Sequence, residues 1–161
     1  MRLLRSVLSV LVAATAHGDH QHLTAAARAI GRHSSEPRLS QGGQHHVLRW
    51  LFKTIGTTNR YYVEFGFNPN EHCRGSGPNS CSLWLEGWDG LLLDGNSHNE
   101  SINLHTHFLS SANIVSLFRR YRVPESPDYV SVDIDSTDLW ILRSILASVY
   151  RPRVISVEFN S

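Results

Sequence analysis

Carboxylates that close short apolar runs are the residues of this chain best placed to do chemistry. Glu64 nearly ends Tyr61-Tyr62-Val63-Glu64-Phe65 ahead of Gly66, and Asp94 ends Leu91-Leu92-Leu93-Asp94. Asp133 and Asp135 end Tyr129-Val130-Ser131-Val132-Asp133-Ile134-Asp135, and Glu158 stands near the end of Val154–Phe159. Acids collected along one edge repel each other and gain nothing for folding, so a ligand is the better reason for them. Gly66 lets the backbone pass close to such a ligand, where a side chain would collide. Asp94, 30 residues after Glu64, is spaced to accept hydrogen bonds from ribose hydroxyls. Asn68-Pro69-Asn70 does not complete a G-x-G-x-x-G cradle, and Gly75-Ser76-Gly77 falls later in the loop. A diphosphate needs closely packed amides at a helix start. A cofactor with a nucleoside and no diphosphate fits better, which points to S-adenosylmethionine.

The elements that must hold these acids alternate. Val47, Leu48, Trp50, Leu51 and Ile55 recur at helical spacing up to Gly56, and a strand follows over 61–65. Asn79 or Ser80 is expected to cap a helix through Leu85, Trp88-Asp89-Gly90 a turn, and Leu91–Leu93 a buried strand. Ile102, Leu104, Thr106 and Phe108 alternate as in a half-exposed strand. Ser110 or Ser111 then starts a helix with a stripe of Ile114, Leu117, Phe118 and Tyr121, halted by Pro124. After the strand over 129–135 comes a helix with Leu142, Ile145, Leu146 and Val149 on its buried face. Pro152 stops it, and a strand over 154–159 closes the chain. This order predicts an α/β, Rossmann-like parallel sheet with helices on both faces and a ligand at the strands' carboxyl ends.

Charge divides the chain. Residues 1–60 carry eight Arg/Lys against two acids, a net +6, and residues 61–161 carry seven against twelve, a net −5. Residues 1–16 place Arg2 and Arg5 before the apolar run Val7–Ala14 and end on Ala14-Thr15-Ala16, the order of a secretory signal peptide cleaved after Ala16. A short helix docked on the domain and an Arg-rich organelle transit peptide, extended by Arg28, Arg32 and Arg38, are the alternatives. Residues 17–44 read as a polar linker with scattered histidines, a turn or two of helix around Ala25–Ile30, and no metal-ligand spacing. The folded module is residues 45–161. No apolar run reaches the ~20 residues of a membrane-spanning helix. Cys73 and Cys81, with seven residues between them, are either a disulfide in an oxidising compartment or two thiols.

Several blocks resemble one family. Tyr62-Val63-Glu64-Phe65-Gly66-Phe67-Asn68, Gly90-Leu91-Leu92-Leu93-Asp94-Gly95, Ile102-Asn103-Leu104-His105 and Pro127–Trp140 are similar, in order, to the FkbM-type S-adenosylmethionine-dependent methyltransferases. Asn113-Ile114-Val115 with Leu117-Phe118, Arg151-Pro152-Arg153-Val154 and Val157-Glu158-Phe159-Asn160-Ser161 continue the likeness, which spans residues 61–161. The resemblance implies that Glu64, Gly66 and Asn68 belong to the first cofactor motif. It makes Asp94 the ribose-binding acid and puts Asp133 near the adenine and methionine end. That family's sheet runs through two further strands, so the resemblance also implies a sheet incomplete at the C-terminus: either the sequence is a fragment or truncated gene product, or its last strand is an open edge prone to aggregation, and in both cases an unstable or incomplete enzyme is expected.

Transfer to an oxygen acceptor requires a general base, for which Asp135, Glu158 and His105 are the candidates. Asp133 and Asp135, two apart on a strand, share a face and suggest a rival: a glycosyltransferase holding a divalent ion against a nucleotide-sugar diphosphate. A divalent ion assisting methyl transfer through Asp133, Asp135, Glu158 or Asn160 follows on the same grounds. A cofactor-fold module without catalysis, serving as an interaction domain, is the third reading. The expected acceptor is a small molecule or glycan, with lipids also open. Nucleic acid is not expected, because outside Arg119, Arg120 and Arg122 the module is acidic.

Overall fold

Branched and aromatic runs with small or acidic ends make strands in this chain, and apolar stripes at helical spacing cover them. The computed structural model describes residues 8–11, 39–40, 43–67, 71–73, 78–134 and 137–158. In chain order the elements begin with β1 (Leu8–Leu11), α1 (Gln44–Ile55), β2 (Tyr61–Phe65), α2 (Cys81–Leu85) and β3 (Asp89–Asp94). A 3₁₀ turn (Glu100–Ile102), β4 (Leu104–Thr106), α3 (Ile114–Arg120), β5 (Tyr129–Val132), α4 (Asp138–Ala147) and β6 (Val154–Glu158) complete them. The sheet runs β1-β6-β5-β2-β3-β4. Strands β2 to β6 are all parallel, and β1 lies antiparallel on β6. The expected parallel α/β sheet with helices on both faces is therefore present.

Alternation along the strands sorts the core into two layers. Val63, Phe65, Leu91, Leu93, Val130 and Val132 pack under Ile114 and Phe118 of α3 and Ile141 and Ile145 of α4. Tyr62, Leu92, Leu104, Tyr129 and Val154 face the other way, under Leu48, Leu51 and Phe52 of α1 and Leu83 of α2. Each fully buried Leu, Ile or Phe contributes roughly 1.5–3 kcal/mol, so the continuous Leu91-Leu92-Leu93 run stabilises both layers at once. From β2 the chain steps outward to β3 and β4, then returns to β5 on the opposite side of β2. The strand order reverses between β2 and β5, which is where open α/β sheets bind ligands.

The amino edge of the sheet is pinned by Asp128. This fully buried carboxylate accepts hydrogen bonds from the Thr58, Asn59 and Arg60 backbone N–H groups (2.8–3.0 Å), from Thr58 Oγ1 (2.8 Å), and from Arg153 Nη1 (2.7 Å). Arg153 also donates to the Gly56 and Ile55 carbonyls at the end of α1 (2.9 and 3.0 Å). Burial alone would raise the Asp128 pKa, but Arg153, Thr58 and Arg60 outweigh it and hold the group below the usual carboxylate range. One acid thereby joins the entries to β2, β5 and β6.

Several local expectations change. Asp89 and Gly90, expected in a turn, open β3, and α3 starts at Ile114 after Asn113 rather than from Ser110 or Ser111. Ile102 belongs to the 3₁₀ turn and Asn103 is left-handed (φ 54°), so β4 is only three residues long and Phe108 lies outside it, 87 % exposed. Strand β5 stops at Val132, short of the expected Asp135. Helix α4 buries Ile141, Leu142 and Ile145 and leaves Leu146 and Val149 exposed, because its packing face is rotated from the expected stripe. Strand β6 is not the open edge expected of the last strand: Leu8–Leu11 pairs along it, Leu8 opposite Glu158 and Leu11 opposite Ile155. The apolar run of the expected leader is thus extended over those four residues. The rest of the leader and the linker through residue 38, including Ala25–Ile30, lies outside the described residues.

Candidate functional site

Register builds a row at the carboxyl edge. Phe65 pairs with Leu93 and Glu64 with Ser131, so Gly66 follows β2 with Asp94 on one side and Asp133 on the other. Gly66 has φ +71°, and a Cβ built on it would lie 1.9 Å from the Asp133 carbonyl oxygen. The glycine is required by the backbone that follows β5. Past it, Phe67 N–H donates to the Leu93 carbonyl (3.4 Å), which leans the chain toward β3.

Asp94 is the best-defined acid of this row. It is buried, and its Oδ1 accepts the Asn96 and Ser97 backbone N–H groups at 2.8 Å each, fixing the turn after β3. Its carbonyl accepts from His107 N–H at 2.8 Å. Oδ2 takes no hydrogen bond among the described residues. One oxygen holds the loop, and the other is left to accept from a hydroxyl. Asp133 is half-buried beside Gly66.

Glu64 plays a different part. It faces the α1/α2 layer, with Oε1 accepting Asn79 N–H and Oε2 accepting Ser80 N–H, each at 2.8 Å, and the Ser80 hydroxyl also donating to Oε2. Burial raises its pKa, and the Ser80 and Asn79 bonds oppose that. Asn79 and Ser80 do not cap α2 through their own side chains. The carboxylate of Glu64 instead binds the N–H groups leading into the helix, so Glu64 positions the β2–α2 connection from below the row. Asn79 Nδ2 continues the network to Ser131 Oγ (2.9 Å), which receives Ser156 Oγ (3.2 Å), itself bonded to Tyr129 OH (2.6 Å). Buried polar side chains from β2, β5 and β6 are thus linked beneath the loop.

The remaining expected residues separate. Asn68 and Asp135 lie outside the described residues. Glu158 ends β6, beyond β5, opposite Leu8. His105 lies on the outer strand β4, where its Nε2 meets Asn103 Oδ1 (2.8 Å) and its ring stacks on Tyr121 at 4.3 Å. Burial, then nearby His98 and His107, lowers its pKa. Among the described residues no group of three or more His, Cys, Asp or Glu can hold a metal ion.

Sequence reasoning missed two parts of this region and left a third open. Cys73 and Cys81 form a disulfide, which ties the loop to the first residue of α2; spacing alone left that pairing open. His72 packs between Phe67 and Trp84, stacked on the latter at 4.9 Å, with Nε2 bonded to Tyr62 OH at 2.7 Å. Burial lowers its pKa to about 4, so it is neutral at physiological pH. The Asn79–Ser131–Ser156–Tyr129 network had one faint signal: serines at the centres of otherwise apolar strands.

Comparison of the chain with family models, curated proteins and solved structures found no match in any of the three.

Proposed function

We propose that this chain is an FkbM-type methyltransferase domain that binds S-adenosylmethionine at the β2–β5 edge and methylates an oxygen of a small molecule or glycan. The observation that carries this reading is Asp94, whose Oδ1 is committed to the following turn and whose Oδ2 makes no hydrogen bond among the described residues. The residue types fit a nucleoside: an acid for the ribose hydroxyls, a glycine backbone beside it, and a loop anchored by Glu64. When bound, S-adenosylmethionine supplies a sulfonium methyl whose carbon–sulfur bond breaks as the carbon–oxygen bond forms. The chain's part is to hold the acceptor in line, worth up to ~7–11 kcal/mol in favourable cases, and to take the hydroxyl proton. Asp135, three residues after β5 in the sequence, and Glu158, the last residue of β6, are the candidates for that base, while His105 is held by Asn103 and Tyr121. The paired cysteines support folding in an oxidising compartment.

Isothermal titration tests the reading. S-adenosylmethionine is expected to bind saturably. A protein that binds only a nucleotide sugar with Mn²⁺ is the glycosyltransferase, and one that binds neither is an interaction module; either result overturns the proposal.

A further inference from the structure

The outer layer formed by α3 and α4 differs from the rest of the domain in charge. Its charge is inverted. Residues 114–123 and 138–151 contain Arg119, Arg120, Arg122, Arg143 and Arg151 against one acid, Asp138, a net +4. The rest of residues 61–161 contains two Arg against eleven acids, a net −9. All five arginines are exposed.

The same layer displays large apolar side chains. Leu139 is 68 % exposed, Trp140 56 % and Val149 53 %, with Leu146 at 38 %. Leu139, Arg143 and Leu146 follow one another at i, i+4 and i+7, so they share one helical face. The Arg143 guanidinium lies over the Trp140 ring, 5.9 Å from its centroid. The two helices lie over one face of the sheet, with Ile114 and Phe118 of α3 in the same core layer as Ile141 and Ile145 of α4, and Phe118 meets Tyr150 just past α4 edge to face at 4.9 Å. Ile141, Leu142 and Ile145 already anchor α4 to the sheet, so the exposed set is not needed for the core.

We propose that the α3/α4 layer is a docking surface for an anionic lipid bilayer. Trp and Leu among arginines suit the headgroup boundary, where an amphipathic ring and apolar side chains enter and guanidiniums meet lipid phosphates. A second copy of the same layer would bring +4 against +4. The acidic remainder of the domain is repelled by the same bilayer, so charge fixes which face turns toward it. Leu139 and Trp140 open α4 just after β5, so docking brings the carboxyl edge of the sheet toward the membrane. This inference stands on the patch alone and does not depend on the methyltransferase reading.

Co-sedimentation of the full chain with vesicles of phosphatidylcholine, alone or mixed equally with phosphatidylserine, tests it. Binding is expected to the mixed vesicles, weakened by salt. Arg119→Gln and Arg143→Gln should each reduce it about fivefold, and Leu139→Ser with Trp140→Ser should reduce it further. The leader keeps its own arginines in every variant, so only the patch is varied. On the unsubstituted chain, brominated lipid should quench tryptophan emission, and Trp140→Phe should remove that quenching. The proposal is overturned if the patch variants sediment like the parent, if neutral vesicles bind as well, or if quenching survives Trp140→Phe. Retention by an acidic protein in place of lipid also overturns it.

Discussion

The Asp133 carbonyl oxygen sits 1.9 Å from the point a Cβ on Gly66 would occupy. The end of β2 and the end of β5 therefore meet backbone to backbone, with no room for even a methyl group between them. This contact lies at the reversal of strand order, and it sets the distance between the two halves of the candidate site.

Gly66→Ala should consequently do two things. The positive φ alone costs about 1–3 kcal/mol for a residue with a side chain, and the displaced Asp133 backbone adds to that. Chemical denaturation should show the loss of stability, and S-adenosylmethionine titration of the folded fraction should show lost affinity. An alanine variant as stable as the parent would mean that β5 yields easily at this point.

Asp94→Asn separates the two roles of one side chain. Asparagine keeps the Oδ1 acceptor for Asn96 and Ser97, so stability should change little. It replaces Oδ2 with an amide donor and removes the charge. Loss of a hydrogen bond to a charged group, about 1.5–3 kcal/mol, predicts roughly 10–100-fold weaker cofactor binding by titration calorimetry. Unchanged affinity would remove Asp94 from the ribose role.

Asp128→Ala should be the most damaging substitution at the amino edge. Removing one member of a buried ion pair costs about 3–5 kcal/mol, and here three backbone N–H groups also lose their acceptor. The pH dependence has a definite sign. Asp128 titrates lower in the folded protein than in the unfolded chain, so its contribution is fully present above the ordinary carboxylate pKa and is lost as pH falls through the depressed value. Glu64, raised by burial, works in the opposite direction and weakens folding as pH rises from the ordinary carboxylate value through its own. Denaturation midpoints between about pH 3 and pH 7, measured for the parent and Asp128→Asn, should show a shallower acid limb in the variant.

Cys73→Ser removes the tie between the loop and α2. Closing a loop this short is worth roughly 2–3 kcal/mol, so the variant, and the parent under a dithiol reductant, should melt earlier by the same amount. Mass analysis of the untreated parent should show the loss of two hydrogens relative to the reduced chain. A parent whose stability ignores reductant would show that Glu64 alone anchors the connection.

Much of the framework was legible in the residues. The continuous Leu91–Leu93 run, the β-rich segments before Gly66 and at Tyr129, and the stripe through Ile114, Leu117 and Phe118 each carry their own period, so alternation, order and a parallel sheet could be read directly. Side-chain partners do not follow from period. Glu64 and Asp94 look alike as acids closing strands. Both stand on the α1/α2 side of the sheet, two residues after Tyr62 and Leu92; what separates them is their position along the strand, since Glu64 pairs with Leu92 inside the sheet while Asp94 ends β3, and what packs over each. The rotation of α4, which buries Ile141 and exposes Leu146, is likewise set by the sheet beneath, because its two possible stripes are similarly apolar. The linking of Thr58, Asp128 and Arg153 brings together segments about 70 and 25 residues apart. Local patterning governs where strands and helices begin, whereas long-range packing alone chooses which buried charge meets which donor.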